Sequence, residues 1–492
     1  MSREKMKWES LLCEERSFWP LDLEVDERPK NDDILDVFQI DSSRITNSAP
    51  YHRLQRKTQV LPFPKTDYPR SRLTHTNEVA DCGRELARIV GRSMVDRAVV
   101  TPIQAMQMED IVSAACKAHD IGNPPFGHSG EYAIQHWVQK NVGIEKTAHD
   151  LRFEISERKY RELCNFDGNG QGFRVITQTS GWRRKGGLQL TFAVLSAFSK
   201  YPWSVDHITS KKKYSVPIGS EGIAKEAFSR TGLRCIEEDG YSFKYVRHPL
   251  AYLVEAADDI SYITSDLEDA ANADVADHDQ VVVFLQSIAE DAIRDSYDRS
   301  QFLRRETKLA KDDKKALRRY LKDHAQRALK IAATDSFLEN YDKIMEGNFS
   351  GSLFDESRVA SQLRKVSDYF RTSIYDNVGK IKNEVFGATV VSGLLDFYFT
   401  ALFEAKRQIV EGKSLTPGND CIDEIVRRNL ITFPLDNYIG DADLKIVAGR
   451  LASSDADDLA QMAIDYVSGM TDPYASQVYQ QILGSERPAV NW

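Results

Sequence analysis

Cysteine is scarce and never paired in this sequence. The six residues Cys13, Cys82, Cys116, Cys164, Cys235 and Cys421 form no CxxC motif, which argues against a zinc ribbon or a dithiol redox centre. There is no excess of positive charge. Lys and Arg total 65 against 74 Asp and Glu, a net charge of −9, which favours solubility and disfavours a general nucleic-acid coat. No apolar run long enough to cross a bilayer is expected. The first residues, MSREKMKWESLLCEERSFWP, are charged throughout and contain no apolar signal core. A phosphate-binding GxxxxGK[ST] loop is missing, so the basic stretches WRRKGG (182–187) and KKK (211–213) are not parts of one. Repeats and low-complexity tracts are also missing. The expectation is a soluble, cytoplasmic protein with reduced thiols and no membrane partner.

What is present is helical pattern. Hydrophobic residues make up 41% of the chain, enough for a large core. Residues 1–40 read as an irregular or partly helical arm. In THTNEVADCGRELARIVGR, residues His75, Val79, Cys82, Leu86 and Ile89 share one stripe at helical spacing. MEDIVSAACKAHDIG predicts a second, buried helix, ended by Gly122 and Pro124-Pro125. A third is predicted from about Ser129. Between 141 and 245 the pattern is mixed. CNFDGNGQGFRVIT reads as a Gly/Asn-rich turn before an apolar segment, and SKKKYSVPIGSEG as a loop. A long helix is predicted from about 247, charged helices over 282–345, and further helices over about 357–412 and 455–485. The charge run at 303–330 reads as a solvated helix rather than a nucleic-acid site. Strand signals are sparse, so the fold class is mainly α.

The stretch HDIGNPPFGHSGE, His119 to Glu131, concentrates the chemistry. Adjacent residues on a helix point about 100° apart, so His119 and Asp120 reach one ion only at a helix end. The Gly-Asn-Pro-Pro break supplies that end. An aspartate on a buried small-residue helix needs a partner, and a cation is a good one. Taken alone, His75 reads as a hydrogen-bonded core histidine. Asp258 and Asp259 lie in the middle of an apolar helix, where unpaired acids are costly. Asp258 shares a face with Val254, Tyr262 and Asp266, which looks like a pocket wall; a solvated face is the alternative. Two histidines with two aspartates offer mixed N/O ligation, suited to Mn²⁺, Fe²⁺, Zn²⁺ or Mg²⁺.

At this point a resemblance emerges. His75, His119-Asp120 and Asp258 resemble the H…HD…D signature of HD-domain phosphohydrolases. HRLQRKTQV (52–60), SRLTHTNEVADCGR (71–84), AHDIGNPPFGHSGE (118–131), FDGNGQGFRVIT (166–177) and EAADDISYITSDLEDA (255–270) are similar, in order, to blocks of the deoxyguanosine triphosphate triphosphohydrolases. DYVSGMTDPYA (465–475) is also familiar. The resemblance implies an HD-domain helical core with additional helical insertions and a helical C-terminal region: an arm at 1–44, a catalytic core at 45–280 with an insertion around 141–245, and a region at 281–492 packing on it.

It also implies roles. His75, His119, Asp120 and Asp258 would hold one divalent ion, Mn²⁺ or Mg²⁺. His128 and Glu131 would be the catalytic pair. Arg72, Lys200, Asn169 and Tyr201 would bind phosphates, which need cationic contacts. Gln59, Val60, Tyr262 and Asp266 would hold the sugar, with Tyr262 leaving no room for a 2′-OH. The implied reaction cleaves dNTP, dGTP preferred, to deoxynucleoside and inorganic triphosphate. Family members form homo-oligomers, and some bind single-stranded nucleic acid or a nucleotide effector. The alternatives are another HD-domain nucleotide phosphohydrolase, or a non-catalytic regulator that binds nucleotides or single-stranded nucleic acid.

Overall fold

The computed structural model describes residues 5–16, 36–59, 70–144, 153–178, 187–208, 213–293, 296–374, 377–438 and 443–485. The fold is mainly α. Among the described residues only two small sheets form. Val142–Ile144 pairs in parallel with Phe153–Ile155, and Cys235–Asp239 pairs antiparallel with Ser242–Tyr245.

Three helices carry the site, each begun by a local cap, and the second starts at Pro102, six residues before the stretch MEDIVSAACKAHDIG from which it was expected. The His75 helix runs Arg72–Asp96, capped by the Ser71 hydroxyl accepting from the Thr74 N–H at 3.3 Å. The His119 helix runs Pro102–Ala118. Pro102 occupies its first turn, and Thr101 and Gln104 form a reciprocal capping box. The Asp258 helix runs Pro249–Asn272 and is capped by a buried imidazole. His248 Nδ1 accepts from the Leu250 N–H at 3.1 Å, and Nε2 donates to the Leu11 carbonyl at 3.0 Å. Burial holds the His248 pKa down to about 4, so the ring stays neutral. The three helices pack on one another. Gly83 permits the closest approach, since a Cβ there would lie 2.6 Å from Cys116 Sγ.

Buried side chains form two groups. The first includes Met6, Trp8 and Leu11 of the N-terminal arm, the apolar stripes of the three helices, and Leu317, Leu321 and Leu329 of the helix Lys314–Glu339. The arm therefore belongs to the core over its first described residues; 17–35 lie outside them. Within the charged segment 303–330, residues 303–311 are mostly exposed, whereas Leu317, Leu321, Ala325 and Leu329 face this core. The second group joins Ile134, Trp137 and Val138 of the helix His128–Asn141 to Val390–Leu402 and to Leu459–Val467.

Three expectations need correction. CNFDGNGQGFRVIT is not a turn: Gly168–Thr177 is helix, begun by Asp167 accepting from the Asn169 N–H at 2.8 Å. Its glycines serve close approach instead. A Cβ on Gly122 would lie 2.0 Å from Gly172 N and 2.2 Å from Gly168 O, so the turn after His119 lies directly on this helix. The second correction concerns apolar length. Val378–Val410 contains an 18-residue window apolar enough to cross a membrane by composition, and half of that window is buried inside the protein as a core helix. Third, helices Glu424–Ile431 and Leu444–Ser453 occupy a stretch for which the sequence pattern suggests no element.

Gly122→Ala is expected to destabilise the protein by about 1–3 kcal/mol or more, because a backbone contact cannot relax. Gly222→Ala, with nothing within 4 Å of the added carbon, should change stability by less than about 0.5 kcal/mol. Thermal unfolding of the two variants side by side tests the contrast.

Candidate functional site

A cavity of ≈ 280 Å³ opens where the two buried groups meet. Every site residue expected from the sequence lines it, except Val60, which falls outside the described residues.

His75, His119 and Asp258 converge at the base. They offer ligand atoms that all lie within 4.8 Å of one another. His75 Nε2 is 3.1 Å from Asp258 Oδ1, and His119 Nε2 is 3.6 Å from the same oxygen. Asp258, not its neighbour Asp259, faces the two imidazoles. His119 follows the last helical residue, and its Nδ1 lies 2.6 Å from the Cys116 carbonyl. That contact orients the ring so that Nε2 faces the carboxylates of Asp120 and Asp258. Nε2 is buried and has no hydrogen-bond partner. Asp120 stands beside the trio rather than within it. Its Oδ1 is 3.5 Å from His119 Nε2 and accepts from the Asn123 amide, while Oδ2 is 2.9 Å from the Arg72 guanidinium.

The electrostatics suit a cation. Burial would push the Asp258 carboxyl up, but His119, His75 and Lys200 outweigh it and hold the group well below the usual carboxylate range. Burial opposes ionisation of Asp120 in the same way, and Arg72, His119 and His75 bring its pKa down. Two ionised carboxylates and an imidazole nitrogen without a donor are the donor set of a divalent ion that prefers N and O ligands.

Cations form one wall. Lys200 lies 3.2 Å from Glu255, and Lys213 pairs with Asp167. The Tyr201 ring sits 5.8 Å from the Lys200 ammonium, and Asn169 is tied to Asp167 at 2.7 Å. His128 and Glu131 face them from the first turn of their helix. His128 Nδ1 is 2.9 Å from Glu131 Oε2, and Glu131 Oε1 accepts from the Gly168 N–H at 2.7 Å. The His128 side chain is 87% exposed and Glu131 is buried, so the imidazole is accessible and its partner is held. At the far end Tyr262 stacks on Phe370 at 5.2 Å. Gln59 Oε1 and both Asp266 oxygens are buried without hydrogen-bond partners. Burial pushes the Asp266 carboxyl up to about 8, against the opposing pull of His75.

No family model matches the chain. Curated relatives do match it along nearly its whole length. A deoxyguanosinetriphosphate triphosphohydrolase-like protein of Listeria monocytogenes is 30% identical over 484 residues, covering 97% of this chain and 100% of the relative. One of Pseudomonas aeruginosa is 29% identical, covering 98% of this chain and 100% of the relative. The deoxyguanosinetriphosphate triphosphohydrolase of Serratia proteamaculans is 30% identical, covering 92% and 95%. The chain belongs to the deoxyguanosinetriphosphate triphosphohydrolase family.

In this family member, sequence reasoning missed several cavity residues. Lys213 is the last residue of the KKK stretch set aside as bland. Its carbonyl accepts from the Trp203 indole at 2.9 Å, which presents the side chain to the wall. Glu255 lies one turn before Asp258 and shares its carboxylate between Lys200 and Arg247; that i, i+3 spacing was the available signal. Lys380 and Glu384 arrive from the long apolar helix, far along the chain, and no motif marked them.

Two outcomes are expected. If the His75, His119 and Asp258 trio holds a divalent ion, His119→Ala should weaken binding of added Mn²⁺ by at least about 10-fold in calorimetric titration. Asp266→Asn should stabilise the metal-free protein at pH 8 and above. The sign follows from linkage: the folded carboxyl stays protonated to about pH 8, whereas the unfolded one ionises near pH 4. Parent stability therefore falls across that interval. The advantage of the amide should vanish near pH 4, and melting curves across pH decide it.

Proposed function

We propose that this protein hydrolyses deoxynucleoside triphosphates, dGTP preferred, to deoxynucleoside and inorganic triphosphate, with one bound Mn²⁺ or Mg²⁺. One observation carries the reading: a histidine–carboxylate trio, four cationic side chains and a histidine–glutamate pair all line one cavity. The names of the relatives, deoxyguanosinetriphosphate triphosphohydrolase, support the same substrate class.

The division of labour follows from chemistry. His75, His119 and Asp258, with Asp120 beside them, would hold the cation. Bound there, it would polarise a phosphoryl oxygen and offset its negative charge. Arg72, Lys200 and Lys213 bind the triphosphate, whose high charge demands several cations in a site sheltered from water. Asn169 and Tyr201 orient it. Gln59 accepts from the 3′-OH, and Asp266, protonated at neutral pH, donates to the same oxygen. Tyr262, backed by Phe370, closes the sugar pocket where a 2′-OH would project.

His128 donates a proton to the departing 5′ oxygen. Glu131 engages Nδ1, so Nε2 is the nitrogen that can deliver it. Water attacks the α-phosphorus as its bond to the 5′ oxygen breaks. The water oxygen remains on the triphosphate, and the deoxynucleoside leaves with a free 5′-OH.

Chromatography of products from each dNTP and from GTP tests this reading. Tripolyphosphate and deoxynucleoside in equal amounts are expected, with GTP turned over least. Release of pyrophosphate or orthophosphate would make the protein a different nucleotide phosphohydrolase. Asp120→Ala should lower turnover by at least about 100-fold; activity surviving that change would remove Asp120 from the machinery.

A further inference from the structure

His128 is launched from an unusual turn. Phe126 has φ +63° and Gly127 has φ +60°. A left-handed backbone is rare for a bulky aromatic residue and persists only where its surroundings impose it. The Phe126 N–H donates to Asp472 Oδ1 at 2.9 Å. The other oxygen of the same carboxylate accepts from the Thr58 N–H, also at 2.9 Å. Thr58 precedes Gln59 at the sugar end of the cavity. Asp472 is 4% exposed and comes from the first turn of the helix Asp472–Ile482, more than 340 residues from Phe126. Asp472 does not itself line the cavity, but both of its partners, Thr58 and Phe126, do.

A second tie reinforces the first. The buried Lys57 ammonium donates to the carbonyls of Asn123 and Ser468. Its own carbonyl accepts from the Arg72 N–H at 3.0 Å. The Phe126 ring lies over Gly387, where a Cβ would come within 2.6 Å of it.

We propose that Asp472 is a positioning residue for the reaction: its two oxygens hold the Phe126–Gly127 turn that aims His128 and the Thr58–Gln59 segment that bounds the sugar pocket. An acceptor-only group is required. Both partners are N–H donors, and an amide of the same shape would set one N–H against another. The inference rests on the reading of His128 given above and adds to it that the C-terminal region completes the site.

The experiment uses the full chain with Asp472→Asn, Asp472→Glu, His128→Ala, and Asp472→Asn combined with His128→Ala. Hydrogen exchange of the peptide covering 122–131 is expected to quicken in Asp472→Asn while the melting temperature moves little. kcat for dNTP hydrolysis should fall by about 10–100-fold, the effect of a small misplacement of a reacting group. In the chain already carrying His128→Ala, the same change should lower kcat by less than 2-fold, because the two act through one group. Asp472→Glu, which keeps both acceptors, should recover part of the exchange protection and part of kcat. Unchanged exchange at 122–131 would overturn the proposal, as would an undiminished loss of kcat in the His128→Ala background. A His128→Ala chain as active as the parent would instead overturn the reading of His128, and with it the link to catalysis, while the exchange result stands independently.

Discussion

A carboxylate taken out of water must be paired or protonated, and the cavity wall is organised around that constraint. Asp120 faces Arg72, Asp258 faces two imidazoles, Glu255 faces Lys200 and Arg247, Asp167 faces Lys213, and Glu131 faces His128. Asp266 has no such partner and stays protonated to about pH 8. The pairings set cations and ionised carboxylates side by side along the cavity lining. A polyanionic substrate can then engage charges that are already in place, and little side-chain ordering remains to be done on binding.

Holding those groups requires helices to approach more closely than ordinary side chains allow. Gly122 against Gly168 and Gly172 brings the His119 turn onto a neighbouring helix, and Gly168 in turn donates to Glu131. The same contact therefore seats both the His119 turn and Glu131, the partner of His128. Packing and chemistry share residues here, so changes at these glycines would be felt in both.

The cavity also depends on the meeting of two separately buried groups. His75, His119 and Asp258 extend from one; Phe126 and the helix that begins at His128 belong to the other. A single carboxylate near the C-terminus ties the turn between them to the segment before Gln59. A residue more than 340 positions from Phe126 is thus hydrogen-bonded to the turn that precedes His128.

Part of the site was legible in helix periodicity, and the rest of its expected residues came only from the family resemblance. The spacing Val254, Asp258, Tyr262, Asp266 puts four residues on one face, and all four line the cavity. The second helix ends at Ala118, a few residues before the Gly122–Pro125 break, and His128 begins the next. Where the sequence misled, a local signal lost to packing. Glycines read as a turn became the tight side of a helix, and an apolar helix was half-buried by neighbours that no local pattern reveals. Taken by itself, the sequence determined the helical class, the helix ends and the set of polar residues held on apolar faces, since these depend on neighbours within a few residues. Only the tertiary structure decided that Asp120 turns to Arg72, that Lys213, Lys380 and Glu384 join the cavity, and that Asp472 holds the turn before His128. Each of those contacts joins segments far apart in the chain, and no short-range periodicity encodes which distant surfaces will meet.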